Sequence, residues 1–347
     1  MKKTILALTI PALFATSVSA VEIYSDEEGS KIDLYGRLQY DMGSFDYQPN
    51  GDADNFGGQG KARVGVNVDY NLNQDVDLIG KYEVQLRSED ENGYNANGSE
   101  DDITTRYAWL GFRFQDTTDL TFGKSEAPRA LLTDLTDTFD IFGGTVANAT
   151  GFNRVDDQIR LAYAAYGFDV RAAYSFADDA KWDGNAGLKD RYGIAAGYTL
   201  PINLGLVASF DRTDFGGDAK SLTGVNSRDN NTDWGLGVHY TIDGFYFAGL
   251  YGQRNFDYYN YENGGNRYWE LQAAYNVENW TLTADYENQK GRKGDSSGAR
   301  ADLQKVDQYT LGARYAFTPK TRVFAEYVIN DVSGKDDLYG VGIQYNF

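Results

Sequence analysis

Segments of about ten residues, in which apolar and polar side chains alternate, follow one another along most of this chain; that is the pattern of a strand with one face on lipid and one on water. In one segment Ala62, Val64, Val66, Val68, Tyr70 and Leu72 share a face, and Arg63, Asn67, Asp69 and Asn71 share the other. In another, Phe168, Val170, Ala172, Tyr174 and Phe176 stand against Asp169, Arg171, Ala173 and Ser175. Sixteen such segments are expected, near 31–46, 61–72, 76–88, 103–115, 118–124, 154–165, 167–177, 190–200, 202–213, 232–242, 244–256, 267–277, 279–290, 305–317, 320–332 and 337–347. The fourth, fifth and eleventh are the least cleanly phased.

The connections between them fall into two classes. Asn71-Leu72-Asn73-Gln74, Tyr166-Gly167, Leu200-Pro201-Ile202-Asn203, Asp243-Gly244, Glu278-Asn279 and Thr318-Pro319-Lys320 read as tight turns. Between them lie long Gly/Asp/Asn-rich stretches such as 47–60, 89–102, 125–153 and 213–231. Short turns on one side and long loops on the other mark an outer-membrane barrel, whereas the loops of a soluble sandwich do not segregate by length. The expected fold is all-β: a 16-stranded antiparallel transmembrane β-barrel with short periplasmic turns, long extracellular loops and both termini on the periplasmic side.

Composition agrees with this reading. A mean hydropathy of −0.53 looks like that of a soluble protein, yet the chain carries 27 Tyr, 19 Phe and 5 Trp. A barrel reconciles the two, because only alternate strand residues face lipid. Many rings fall at strand ends (Tyr70, Tyr82, Trp109, Tyr198, Tyr240, Trp269, Tyr275, Trp280, Tyr315), where they suit the bilayer interface. Without cysteine, closure must come from backbone hydrogen bonds. With 51 Asp and Glu against 32 Lys and Arg, nucleic acid is excluded as a partner.

The first residues read as a secretory signal peptide: Lys2 and Lys3, an apolar run from Ile5 to Ala15, and a small-residue cleavage site at Val18-Ser19-Ala20. Residues 1–20 would be removed, leaving 21–347 as a single barrel domain and shifting the net charge from −19 to −21 through the loss of two lysines.

Ile32-Asp33-Leu34-Tyr35-Gly36-Arg37, Ala62-Arg63-Val64-Gly65, Thr105-Arg106 followed by Gly111, Phe122-Gly123-Lys124 and the terminal Ile343-Gln344-Tyr345-Asn346-Phe347 together resemble the trimeric general porins of the OmpF/OmpC type. The resemblance runs through the whole chain after residue 20, and the long loops match least. It implies a water-filled channel in the outer membrane of a Gram-negative cell for passive diffusion of small hydrophilic solutes and ions. It further implies a homotrimer latched by the second loop, and a terminal Phe read by the assembly machinery. The alternation from Tyr339 to Phe347 also reads as a last strand that must close on the first.

The family's third loop folds into the barrel and narrows it, with an acidic tip before Phe-Gly-Gly. The stretch 125–153 is too long for a hairpin loop, and its first half, Ala127 to Leu135, is apolar enough to pack and to form a helical turn. The tip reads Thr136-Asp137-Thr138-Phe139-Asp140-Ile141-Phe142-Gly143-Gly144. Asp137 falls on the family's first acidic position; the second acid is displaced by one residue, to Asp140, because Ile141 stands where the family has Glu. The family's basic wall maps onto Arg37, Arg63, Arg106 and Arg154. Alternation independently turns Arg37 and Arg63 away from the apolar face, and Arg160 falls on a polar face too. Arginine toward lipid at mid-bilayer would cost about 2–4 kcal/mol. Such a transverse field, with the acidic balance of the chain, predicts weak cation preference.

The loop 88–102 carries Glu89, Asp90, Glu91, Glu100, Asp101 and Asp102, which suit divalent cations bridging to lipopolysaccharide, although Asp90, Asn92, Gly93 and Tyr94 do not make an EF-hand. No cofactor or resident metal is expected. Neither is catalysis, since His239 is the only histidine and no Gly-x-Ser-x-Gly elbow or zinc ligand set exists. A substrate-selective channel and a surface adhesin barrel are the alternatives. The Tyr258, Tyr259 and Tyr261 cluster forms no aromatic track of the kind a selective channel would use.

Overall fold

In the computed structural model, residues 20–44, 56–87, 102–144, 146, 153–176, 188–216, 227–260, 263–291 and 306–347 are described. All but Ala20 of the expected signal peptide, and nearly all of the acidic loop 88–102, lie outside the described residues.

Sixteen long antiparallel strands close into a barrel. They are β2 (Lys31–Ser44), β3 (Phe56–Asn73), β4 (Val76–Arg87), β5 (Asp102–Phe114), β6 (Thr118–Glu126), β7 (Arg154–Ala165), β8 (Phe168–Ser175), β9 (Leu188–Thr199), β10 (Leu204–Phe215), β11 (Arg228–Ile242), β12 (Phe245–Tyr258), β13 (Gly264–Val277), β14 (Trp280–Gly291), β15 (Val306–Thr318), β16 (Thr321–Asn330) and β17 (Leu338–Asn346). Each pairs with its neighbours in sequence, and β17 returns to β2 from Tyr339↔Ser44 to Asn346↔Arg37. A five-residue strand that the alternation does not reveal, β1 (Val21–Ser25), pairs with the start of β2. It lies beyond the end of β17, where Phe347 exchanges two backbone hydrogen bonds with Gly36.

The tight connections use left-handed backbone where the sequence places turn residues. Tyr166-Gly167 has φ of 55° and 84°, and Asp243-Gly244 has 47° and 84°. Positive φ at both central residues matches the twist of a two-residue hairpin, and glycine takes the second position without a Cβ penalty. Outward positions are apolar and exposed, as at Leu38, Tyr40 and Met42, while Gln39 and Asp41 between them are buried inward. Trp109 departs from the interface role expected of it: its register partner is Lys81, whose ammonium lies over the rings of Tyr35 and Tyr107, so it faces the lumen. No helix among the described residues is long and apolar enough to cross a membrane.

The poor phasing of the fourth segment has a structural cause. Between Glu83↔Tyr107 and Val84↔Thr105 the register slips, leaving Arg106 as the extra residue of a β-bulge. A bulge re-aims side chains, and here it turns both Arg106 and Tyr107 inward, to Glu83 and Glu126.

Candidate functional site

The loop between β6 and β7 folds into the barrel, starting with a single helical turn, α1 (Ala130–Thr133). Its apolar side meets the wall: Leu131, Leu132, Leu135 and Val146 cluster with inward Ala195, Val207, Tyr246, Ala248, Leu250 and Tyr268. At its root Arg129, only 1% exposed, pairs with Asp233 and lies 3.7 Å from Asp211, and it donates to Tyr268 at 2.8 Å. Arg254 joins Asp233 at 2.7 Å, and Arg191 joins Asp211 at 3.4 Å. Buried charges persist only when paired, and here Asp211 and Asp233 each face two guanidinium groups.

Three further contacts fix the tip. The Thr136 hydroxyl donates to Glu270, and Gln272 Nε2 donates to the Thr136 carbonyl and the Thr138 hydroxyl, both at 2.8 Å. The backbone N–H groups of Asp140, Ile141 and Phe142 donate to the Glu326 carboxylate at 2.6, 3.1 and 2.8 Å. Arg314 Nε and Arg322 donate to Asp140 at 2.7 and 2.6 Å. Sequence reading missed Glu326, Arg314 and Arg322. Their inward phase was visible, but nothing local linked them to a loop some 180 residues away, the separations being 174 to 186.

Facing the tip is the basic wall. Arg37 on β2 stands directly opposite Arg63 on β3. Arg63 donates to Gln85 at 2.6 Å, Arg106 to Glu83 at 2.5 Å, and the Arg154 guanidinium lies 5.3 Å from the centre of the Tyr107 ring. The Arg37 side chain is acted on by the charges of Asp140, Glu83 and Asp41. Lys81, absent from the expected set, joins the wall over Tyr35 and Tyr107. The two acids of the tip differ. Asp137 remains exposed to the lumen, and the charges acting on it are Arg154, Arg63 and Arg106 of the wall. Desolvation inside the narrowed lumen holds its carboxyl above the ordinary aspartate range, against the pull of those arginines. The Asp140 side chain is 4% exposed and committed to Arg314 and Arg322, on a different arc of the barrel. Asp134, at the end of α1, is pushed well up by burial and by the neighbouring Glu126.

His239 is inward and buried on β11, near the Tyr246 ring. Of the residues expected at the constriction, Asp137 is acted on by Arg154, Arg63 and Arg106, whereas Asp140 pairs with Arg314 and Arg322. The family model for the Gram-negative porin matches residues 7–335. The chain belongs to the Gram-negative porin family.

Outer membrane protein U of Vibrio parahaemolyticus serotype O3:K6 is 25% identical to it, over 99% of this chain and 94% of that one. Outer membrane porin F of Salmonella typhimurium is 26% identical over the full length of both. Among solved structures, OmpF of Salmonella typhi in complex with daunomycin superposes with a TM-score of 0.77 at 19% identity, covering 94% of this chain and all of that one. An anion-selective porin from Comamonas acidovorans gives a TM-score of 0.69 at 15% identity, over 92% of this chain and all of that one. At those identities the structures share the barrel, and the sign of selectivity has to be argued from the side chains. As a porin the chain is an outer-membrane β-barrel.

Proposed function

We propose that this porin is a general diffusion channel for small hydrophilic solutes and ions, weakly cation-preferring, and narrowed where Asp137 and Asp140 of the third loop face Arg37, Arg63, Arg106 and Arg154. The observation that carries this reading is the loop itself. Its back is glued to one arc of the barrel, so the remaining gap is bounded by Asp137 on one side and solvated guanidinium groups on the other. In this reading Asp137 supplies the water-facing negative end of the field. Asp140 supplies a fixed charge and anchors the tip.

Charges of opposite sign about 10 Å apart interact by roughly 0.4 kcal/mol in bulk water and roughly 1.7 kcal/mol at an effective dielectric of 20. Terms of that size orient dipolar solutes and bias ion flow without making a stringent filter. The net charge of the chain tips the bias toward cations.

Residues 1–20 are the export signal in this scheme, cleaved after Ala20. Assembly is a homotrimer, supported by an apolar hollow of about 520 Å³ on the outer face of β17, β2, β3 and β4, where Gly60 and Ala62 lie among Leu38, Tyr40, Leu86 and Ile343. Outer-leaflet lipid and lipopolysaccharide cover the rest of the belt. Swelling of liposomes in sugars of graded size tests the channel: a cutoff by size alone is expected. Saturation would point to a substrate-selective channel, and absence of swelling to a surface adhesin. In a planar bilayer under a salt gradient, a reversal potential of anion-selective sign would reject the cation preference.

A further inference from the structure

Behind the tip of the third loop the wall carries a patch that permeation does not use. On β13, β14 and β15 the inward positions stand in two rows: Glu270 opposite Glu287 opposite Gln308, and Gln272 opposite Asp285 opposite Thr310. Directly opposed residues on one face have Cβ atoms about 4.5–5.5 Å apart, so six oxygen-bearing side chains share one small area. All six are buried, none more than 8% exposed.

The first row is engaged, with the Thr136 hydroxyl on Glu270 and Gln308 Nε2 on Glu287. The second row is engaged only in part, Asp285 accepting from the Tyr286 backbone N–H, and each of its three side chains leaves an oxygen over. Gln272 gives its amide nitrogen to the loop, and its Oε1 has no partner; neither has Asp285 Oδ1 nor Thr310 Oγ1 among the described residues. Asp285 forms no ion pair among the described residues, and the nearest charges acting on it, Glu287 and Glu270, are both negative. A carboxylate in that position is strongly unfavourable until a positive charge compensates it.

No three or more His, Cys, Asp or Glu among the described residues converge on a common point, so carboxylates alone do not make a site here. The neutral oxygens of Gln272 and Thr310 change that. Carboxylate, amide carbonyl and hydroxyl oxygens, with no nitrogen or sulfur donor, suit a hard divalent cation. Three strands at fixed spacing give an irregular set of donors, and water or the neighbouring carboxylates complete the six to eight oxygens that Ca²⁺ takes. That favours Ca²⁺ over Mg²⁺, which demands a near-ideal octahedron and dehydrates reluctantly.

We propose that Gln272 Oε1, Asp285 Oδ1 and Thr310 Oγ1 form a buried Ca²⁺ site, with the Glu270 and Glu287 carboxylates contributing charge. The Gln272 amide then carries the cation on its oxygen and the loop tip on its nitrogen, so an occupied site stiffens the loop. The site does not depend on what permeates the channel.

The test is calorimetric titration of the purified, EDTA-treated full-length protein in detergent with CaCl₂, and separately with MgCl₂, alongside Asp285→Asn and Thr310→Val. Retention of compact mobility in unheated SDS gels establishes that each variant is folded. Surface acids give a weak background common to all. The expected result is one additional saturable Ca²⁺ site per chain, absent in Asp285→Asn and at least tenfold weaker in Thr310→Val, with Mg²⁺ binding more weakly. Identical isotherms for the parent protein and Asp285→Asn would overturn the proposal. If Asp285→Asn does not fold, Thr310→Val decides alone, and unchanged binding overturns the site. Tighter Mg²⁺ than Ca²⁺ overturns the choice of cation.

Discussion

The wall from β2 to β7 keeps its inward arginines in lumen water, whereas the wall from β9 to β13 gives its inward side chains to a loop. Both arise from strands with the same two-residue period. On the open side the inward positions are Arg37, Arg63, Lys81, Arg106 and Arg154, and they behave as barrel interiors usually do. On the covered side Ala195, Val207, Ala248 and Leu250 also point inward, where the rule calls for polar groups, because Leu131, Leu132 and Leu135 cover them. Alternation therefore decides which residues leave the lipid. A distant segment decides which of them meet water.

The comparison can be broken most severely at the root of the loop. Arg129→Met leaves Asp211 and Asp233 short of a counter-charge in a dry site, a loss of about 3–5 kcal/mol. A large fall in the temperature at which the folded form is lost in SDS gels is the expected result. Leu132→Ala, at a position fully buried between loop and wall, should cost about 2–5 kcal/mol of docking without touching any charge. Single-channel records should then show a noisier, less constant conductance.

On the open wall the effects are smaller. Arg63→Ala removes one charge facing Asp137, so cation over anion permeability should rise by about two- to eighteenfold, set by the 0.4–1.7 kcal/mol scale of one charge across the gap. The subtlest effect is on pH. Enclosure raises Asp137, so on acidification its negative charge is lost at a pH above the ordinary aspartate value of about 3.9. Cation preference should fall through that window in the parent protein, and Asp137→Asn should start lower and lack the step. Reversal potentials across a pH series measure both.

Much of the fold could be read from the chain. Sixteen alternating segments and their turn residues became sixteen strands, because period and turn chemistry are local properties. The helical turn at Ala130–Thr133 lies within the stretch expected to pack. What escaped was non-local or conformational. β1 is too short to show a period, and the bulge at Arg106 disguises that two neighbouring residues both turn inward. Arg37 and Arg63 were legible as lumen residues because each opposes an apolar face. Asp140 was visible as a loop acid, but its two arginines come from β15 and β16, and no spacing rule connects them.

The pairing of β17 with β2 joins stretches that are almost a whole chain length apart; β1 covers only the start of β2 on that side, and Arg37–Ser44 must wait for β17. Closing so long a loop is the entropically slowest contact available to the chain. Until it forms, the barrel is an open sheet with two bare edges, exposed to other chains. The seam therefore makes conduction an all-or-none property of assembly: the ring holds water only after its last hydrogen-bond ladder is complete.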